Sequence, residues 1–253
     1  MRVLRFSRFL AVTTAWLWLI APVHAQLNQP VYPVYDGYLV TDDGTYVISY
    51  AYFSHNYETV EVPAGIENEF DSEPADRLQP TTFRPGHHRF QCVMVVGADF
   101  QGGPRWTLSY AGTTTSTSED ILQYNWELAD RTQQAVLRDV DVENAPRGVC
   151  LNRSPLVRIL GLRNGPNDEP PELSVRAGDD LKLFGSVRDE GLPRNSILVS
   201  EWRAVNGPGN VSFSAQDEPR TLATFDSAGT YELELRANDS VFESATRVIV
   251  HVE

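Results

Sequence analysis

The stretch FDSAGTYELELRANDS, residues 225–240, decides the reading of the C-terminal half of this chain. Asp226 and Gly229 supply a turn. Beyond it Tyr231, Leu233 and Leu235 alternate with Glu232, Glu234 and Arg236, the period of a strand with one buried and one wet face. A tyrosine at the start of such a strand, two residues before its first core position, holds the tyrosine-corner place of an immunoglobulin-like sandwich. There the ring packs beneath the sheets and the hydroxyl bonds to backbone upstream. The other role open to Tyr231 is that of an exposed, ligand-stacking ring.

Six further alternating runs surround it. LSVRAG, DLKLFGSV, ILVSEWRAV, NVSFS, TLATFD and TRVIVHV bring the count to seven short strands within residues 172–253, which is what such a sandwich needs. Trp202 falls in the third strand, where these domains bury a tryptophan. Leucines (Leu181, Leu183, Leu233 and Leu235) stand where antibody domains place an inter-sheet disulfide, so the core is expected to be apolar throughout.

The N-terminal half reads as β as well. VYPVYDGYLV precedes the turn signal Asp42-Asp43-Gly44, and TYVISYAYF follows with both alternating faces apolar, the mark of a central strand covered on each side. TVEVP, HRFQCVMVV and RWTLSYAG are further strands. The segment 119–137 is the one place where a short helix fits. GLRNGPNDEPPEL, residues 161–173, is dense in Gly, Pro, Asn and acids and reads as a linker. The expected organisation is all-β, with two β-sandwich domains: a signal peptide over 1–25, an N-terminal β-rich domain over 26–145, a linker over 146–171 and the second sandwich over 172–253.

The signal peptide rests on Arg2, Arg5 and Arg8, the apolar run Phe9–Ile20, and Val23-His24-Ala25, with cleavage expected after Ala25. The apolar run is shorter than the ~20 residues a spanning helix needs, and no later segment approaches that length, so no membrane span is expected in the mature chain. Residues 1–25 hold three arginines and no acid, so the remainder carries 18 basic against 34 acidic residues, a net charge of −16. That surface disfavours nucleic acid and anionic membranes as partners. Lys182 is the only lysine among many basic residues, a bias that fits a GC-rich bacterial coding sequence and a periplasmic or extracellular destination.

The order NDEPPEL, RDEGLP, Trp202 with GPGNVSF, and SAGTYELELRANDS is similar to the Ig-like and polycystic-kidney-disease (PKD) repeat modules of secreted bacterial proteins. The likeness covers residues 167–253. Two features depart from strict PKD repeats: a WDFGDG-type core is missing, and Ser240 stands where a glycine is usual. GTYVISYAYFSHNYETVEVPAG and ADRLQPTTFRPGHHRF resemble the N-terminal portion of such proteins. The resemblance implies architecture and export; it implies no activity.

Candidate sites are few. Cys92 and Cys150 form either one disulfide, worth roughly 4 kcal/mol for a loop of this length, or two partly buried thiols. Asp168, Glu169, Asp189 and Asp239 offer hard oxygen ligands for Ca²⁺ at a domain junction, or serve as turn-forming acids. Adjacent His87 and His88 point to opposite faces of a strand and cannot readily grip one metal. The many tyrosines of the first domain form either a core or a sugar-stacking row, with Tyr57 and Trp126, in loop-like surroundings, as the exposed candidates. No nucleophile elbow or triad order is present. The expectation is a non-catalytic structural or protein-interaction module, with other proteins as partners; the alternative is carbohydrate binding through the first-domain aromatics.

Overall fold

The computed structural model describes residues 28–100, 103–118, 120–159 and 169–253. The expected signal peptide and Asp168 lie outside the described residues. Eight strands build the first domain: β1 (Val31–Val40), β2 (Tyr46–Ser54), β3 (Val60–Glu61), β4 (Asn68–Phe70), β5 (Thr82–Phe83), β6 (Gly86–Val96), β7 (Trp106–Tyr110) and β8 (Thr113–Ser116). A 3-10 turn (Tyr124–Trp126) and a short helix α1 (Asp130–Val136) fall in the segment expected to be helical.

The central sheet has the order β1-β2-β6, antiparallel throughout, and β2 is indeed covered on both faces. Ile48, Tyr50 and Tyr52 on one face join Phe70, Phe83, Trp106 and Leu108 of the β3-β5 and β4-β7-β8 sheets in one core. Val47 on the other face joins Val93, Val95, Leu128, Val136 and Leu151 beneath α1 and the segment that follows it. Two bulges break the ladder, one in β1 at Asp36 and one in β6 opposite Ala51. Gly37 follows the first, at φ +131°. A Cβ there would stand 2.5 Å from both the Trp126 carbonyl oxygen and the Leu128 side chain, so only glycine lets that loop close on the sheet.

The second domain comprises β9 (Leu156–Ile159), β10 (Glu172–Val175), β11 (Leu181–Arg188), β12 (Val199–Asn206), β13 (Val211–Phe213), β14 (Arg220–Phe225), β15 (Gly229–Asn238) and β16 (Glu243–Val252). Its two sheets run β10-β16-β15-β12 and β13-β14-β11-β9, the strand order of an Ig-like sandwich with its first strand shared between sheets. All seven expected strands are present. The eighth, β9, lies inside the stretch expected as linker and pairs antiparallel with β11. Residues 147–151 of that same stretch run along β6, with Gly148 N and Leu151 N donating to Val95 O and Val93 O. The chain therefore crosses between domains over residues 152–155.

Trp202, Tyr231, Leu233 and Leu235 are fully buried in one core. The Tyr231 hydroxyl donates to Ser227 O at 2.8 Å. Its ring lies so close to Gly207 that a Cβ there would come within 2.2 Å of the ring edge. The turn before Tyr231 and the Gly207-Pro208-Gly209 turn thus interlock, and Asp226 fastens them by accepting bonds from Asn210 N (2.9 Å) and Nδ2 (2.8 Å). Tyr231→Phe removes one hydrogen bond and should lower stability by about 1 kcal/mol without changing the fold. Chemical denaturation measures it, and an unchanged midpoint would show that the hydroxyl contributes nothing.

Cys92 and Cys150 form a disulfide across 58 residues, with both side chains buried. It ties the segment leaving the first domain to β6. Removing it by the double variant Cys92→Ala/Cys150→Ala should destabilise by roughly 4 kcal/mol in the chain-entropy model, read as a lowered denaturation midpoint that added reductant does not lower further.

Candidate functional site

The first-domain aromatics are core. Tyr35, Tyr38, Tyr50, Tyr52, Phe70, Phe83 and Trp106 are all buried, and several meet edge to face, as Tyr50 does with Phe70 at 5.4 Å between centroids. Tyr57 is exposed and sits beside Gln29 and Tyr110. Trp126, partly exposed, packs edge-on against Tyr35 at 5.6 Å. The two therefore belong to separate places and build no joint platform. His87 and His88 do take opposite faces: His87 lies by Phe53, and His88 stacks on Tyr52 at 4.9 Å.

Of the acids weighed for calcium, Glu169 is exposed at the start of the second domain's β10 segment. Asp189 and Asp239 are near enough that Asp239 helps to raise the Asp189 pKa. Asp239 is buried and caps its own turn, its Oδ1 accepting from Val241 N and Phe242 N. Among the described residues, no three His, Cys, Asp or Glu side chains converge in an arrangement suited to a metal ion.

The densest polar chemistry is at the domain junction. Arg153, on the crossing segment, is buried. Its guanidinium donates to the Phe90 carbonyl in the β6 bulge, and its backbone N–H donates to Glu190 Oε1 at 2.6 Å. Arg84, which follows β5, reaches the Asp189 carbonyl at 2.9 Å. In the opposite direction, the loop after β11 enters the first domain. Leu192 is buried within that domain's core, and Arg194 grips Asp76 through two bonds of 2.7 Å while also donating to Gln79 O. Each domain thus holds a piece of the other. Nothing in the alternation of the sequence marks Leu192, a lone apolar residue between Gly191 and Pro193; its only signal is that a leucine occupies a turn otherwise made of polar residues and breakers.

Two clefts flank this junction. One, of about 700 Å³, is bounded by Tyr52, Arg84, Asp76, Asp189 and Arg194. The other, of about 470 Å³, is rich in cations, lined by His88, Arg89, Arg138, Arg153, Arg158 and Arg188 together with Asp189 and Glu190. Arg89 is held by Asp36 at 2.6 Å and Arg138 by Asp139 at 3.0 Å.

Burial pushes the Glu190 carboxyl up to about 7, against the pull of Arg153. Asp189 is raised too, by burial and then by Asp239. A carboxyl whose folded-state pKa lies above its unfolded value holds its proton more tightly when folded. The stability it lends is complete below about pH 4.5 and is lost as the pH rises through about 7. Glu190→Gln, which keeps an acceptor for Arg153 N, should therefore flatten much of the fall in melting temperature between about pH 5 and about pH 7.5. Calorimetric melts across that window test it, and a variant profile parallel to wild type would exclude Glu190 as the titrating group.

No protein-family model matches the chain. Among solved structures it is similar to the PKD domain of the KIAA 1837 protein, at 21% identity over 34% of this chain and 83% of that one, with a TM-score of 0.23. It is also similar to domains 4 and 5 of the S-layer protein SbsC (11% identity, 88% and 98% covered, TM-score 0.28) and to Drosophila N-cadherin EC1-3 (12%, 90% and 68%, TM-score 0.29). The Ig-like assignment of the second domain rests on its own strand order and core.

Proposed function

We propose that the protein is an exported, non-catalytic, two-domain β module whose work is structural or adhesive. It holds two domains in one orientation and presents their outer surfaces to partners. The observation that carries this reading is the reciprocal junction, in which Leu192 of one domain completes the core of the other while Arg84, Arg153 and Arg194 bond across. Arg84, Arg153 and Arg194 each bond to the opposite domain, which suits a joint. The disulfide supports an oxidising compartment.

The experiment is to unlock the joint. Leu192→Ala removes a side chain whose loss from a core costs about 2–5 kcal/mol, and Arg194→Ala removes the grip on Asp76. The double variant should unfold in two calorimetric transitions where the wild type shows one. Its small-angle scattering should show a larger radius of gyration. A wild type that already melts in two independent steps would overturn the reading. Because β9 pairs with β11 on the far side of residues 160–168, cleavage at a protease site inserted in that interval should leave the two fragments co-eluting on size exclusion.

A further inference from the structure

The two outer faces of the second domain treat charge differently. On the β10-β16-β15-β12 sheet every outward arginine within the strands is paired with acids. Arg203 and Arg247 share Glu234, Arg247 also takes Glu232, and Arg236 bridges Glu201 and Glu243. On the β13-β14-β11-β9 sheet the outward positions are Ser212, Arg220, Leu222, Thr224, Lys182, Phe184, Ser186, Arg188, Leu156 and Arg158, judged by their alternation with the buried or half-buried core residues. That face carries four cations and no acid within its strands. No ion pair is formed by any of the four among the described residues. The nearest acids in sequence (Asp179, Asp180, Asp189, Asp217 and Glu218) lie in the flanking turns.

Register orders these cations. Arg220 stands opposite Phe184, and Arg158 stands opposite Ser186. Measured along β11, Lys182, Arg220, Arg158 and Arg188 therefore follow one another at steps of two residues, about 7 Å each, within a strip three strands wide at about 4.8 Å per strand. The strip runs for about 20 Å and ends in the cation-rich cleft of the junction, which Arg158 and Arg188 also line. Near its middle Phe184 is 49% exposed, with Leu222 at 36% beside Lys182. Unpaired like charges on neighbouring strands repel, and without a counter-charge this arrangement is unfavourable.

We infer that this face binds an anionic polysaccharide, with carboxylate or sulfate groups meeting the four cations in turn and Phe184 stacking on a sugar ring. The spacing favours a linear polymer bearing roughly one charge per residue. A denser polyanion such as duplex DNA, with one charge per about 1.7 Å, is opposed more strongly by a protein of net charge −13. Cation-flanked aromatic rings suit sugar acids, since the ring covers the apolar face of the sugar while the cations take its acid groups. The inference rests on the reading of the protein as a binding rather than a catalytic module. It does not require a stiff junction.

The test uses the full mature chain against immobilised heparin (sulfate and uronate), polygalacturonate (uronate alone), poly-L-glutamate and neutral dextran, at low and moderate salt. Binding is expected to one or both anionic polysaccharides, weakening with salt, and not to dextran; the first two arms identify whether sulfate is needed. The quadruple variant Arg158→Gln/Lys182→Gln/Arg188→Gln/Arg220→Gln should lose at least tenfold in affinity, while Arg176→Gln, off the face, binds as wild type. Phe184→Ser should weaken polysaccharide binding several-fold with its salt dependence unchanged. Circular dichroism melts verify that each variant is folded, and the single variants Lys182→Gln and Arg220→Gln, each expected to lose part of the affinity, serve if the quadruple is not. No binding to either anionic polysaccharide at low salt, folded variants that bind as wild type, or poly-L-glutamate bound as tightly as the polysaccharides would each overturn the assignment. Scattering from the same variants should be unchanged, which separates failure here from failure of the junction.

Discussion

The arrangement of the two domains depends on one buried guanidinium. Arg153 lies on the four-residue crossing between domains, and the disulfide at Cys150 fixes the chain just before it. Behind it stands a relay that begins in β1. The Asp36 carboxylate accepts from Arg89 Nε at 2.6 Å and from Phe90 N at 2.7 Å, and so holds the β6 bulge. Phe90 adopts φ +58°, a conformation costing a bulky residue of order 1 kcal/mol or more. The bulge in turn presents the Phe90 carbonyl to Arg153. On the other side Arg153 meets Glu190, which accepts its backbone N–H at 2.6 Å while the guanidinium lies 4.0 Å from Oε2. Deleting the Glu190 carboxyl would leave the buried Arg153 N–H without its acceptor, a loss of about 1–3 kcal/mol. The junction is specified by polar geometry first and by apolar burial second.

Leu192 supplies the apolar part. Burying a leucine contributes about 1.5–3 kcal/mol, less than a domain core but enough to bias a joint that Arg194 and Asp76 also close. The loop that carries it directly follows Glu190. Register in β11 therefore controls the whole contact: a slip of one residue between β9 and β11 would turn Arg188 inward and displace both Glu190 and Leu192.

Much of this was legible in the sequence, and the reason is periodicity. Strict alternation in 231–236 and in 46–53 places strands and their buried faces, and the small-residue turn before Tyr231 places the corner. Strand β9 escaped because LVRI is a four-residue run beside a Gly/Pro-rich stretch, too short to show a period. Leu192 and the bonding of Arg153 escaped for a different cause. They are tertiary facts about single residues in turns, and local pattern carries no information on what a turn will touch. Tyr57 and Trp126 were separated by folding in the same way. Two exposed rings far apart in sequence say nothing of their spacing until a sheet sets it.

The partition of charge in the second domain follows from the same logic of alternation. Each sheet offers outward positions that water will accept, and the β15 face shows that this chain can fill them with alternating acids and arginines that neutralise one another across strands. On the opposite face it does not. Protection of an exposed edge explains cations on edge strands, where they deter pairing with another sheet, and that reason serves for Arg158 on β9. Lys182, Arg188 and Arg220 lie on β11 and β14, each laddered to one neighbour at its own position, and edge protection does not account for the absence of any acid among them. Nor does solubility, since acids are abundant elsewhere in the chain and would serve as well at these positions. Three cations beside an exposed phenylalanine, with no acid between them, place the unmatched charge of the domain where a partner from outside can supply the counter-charge.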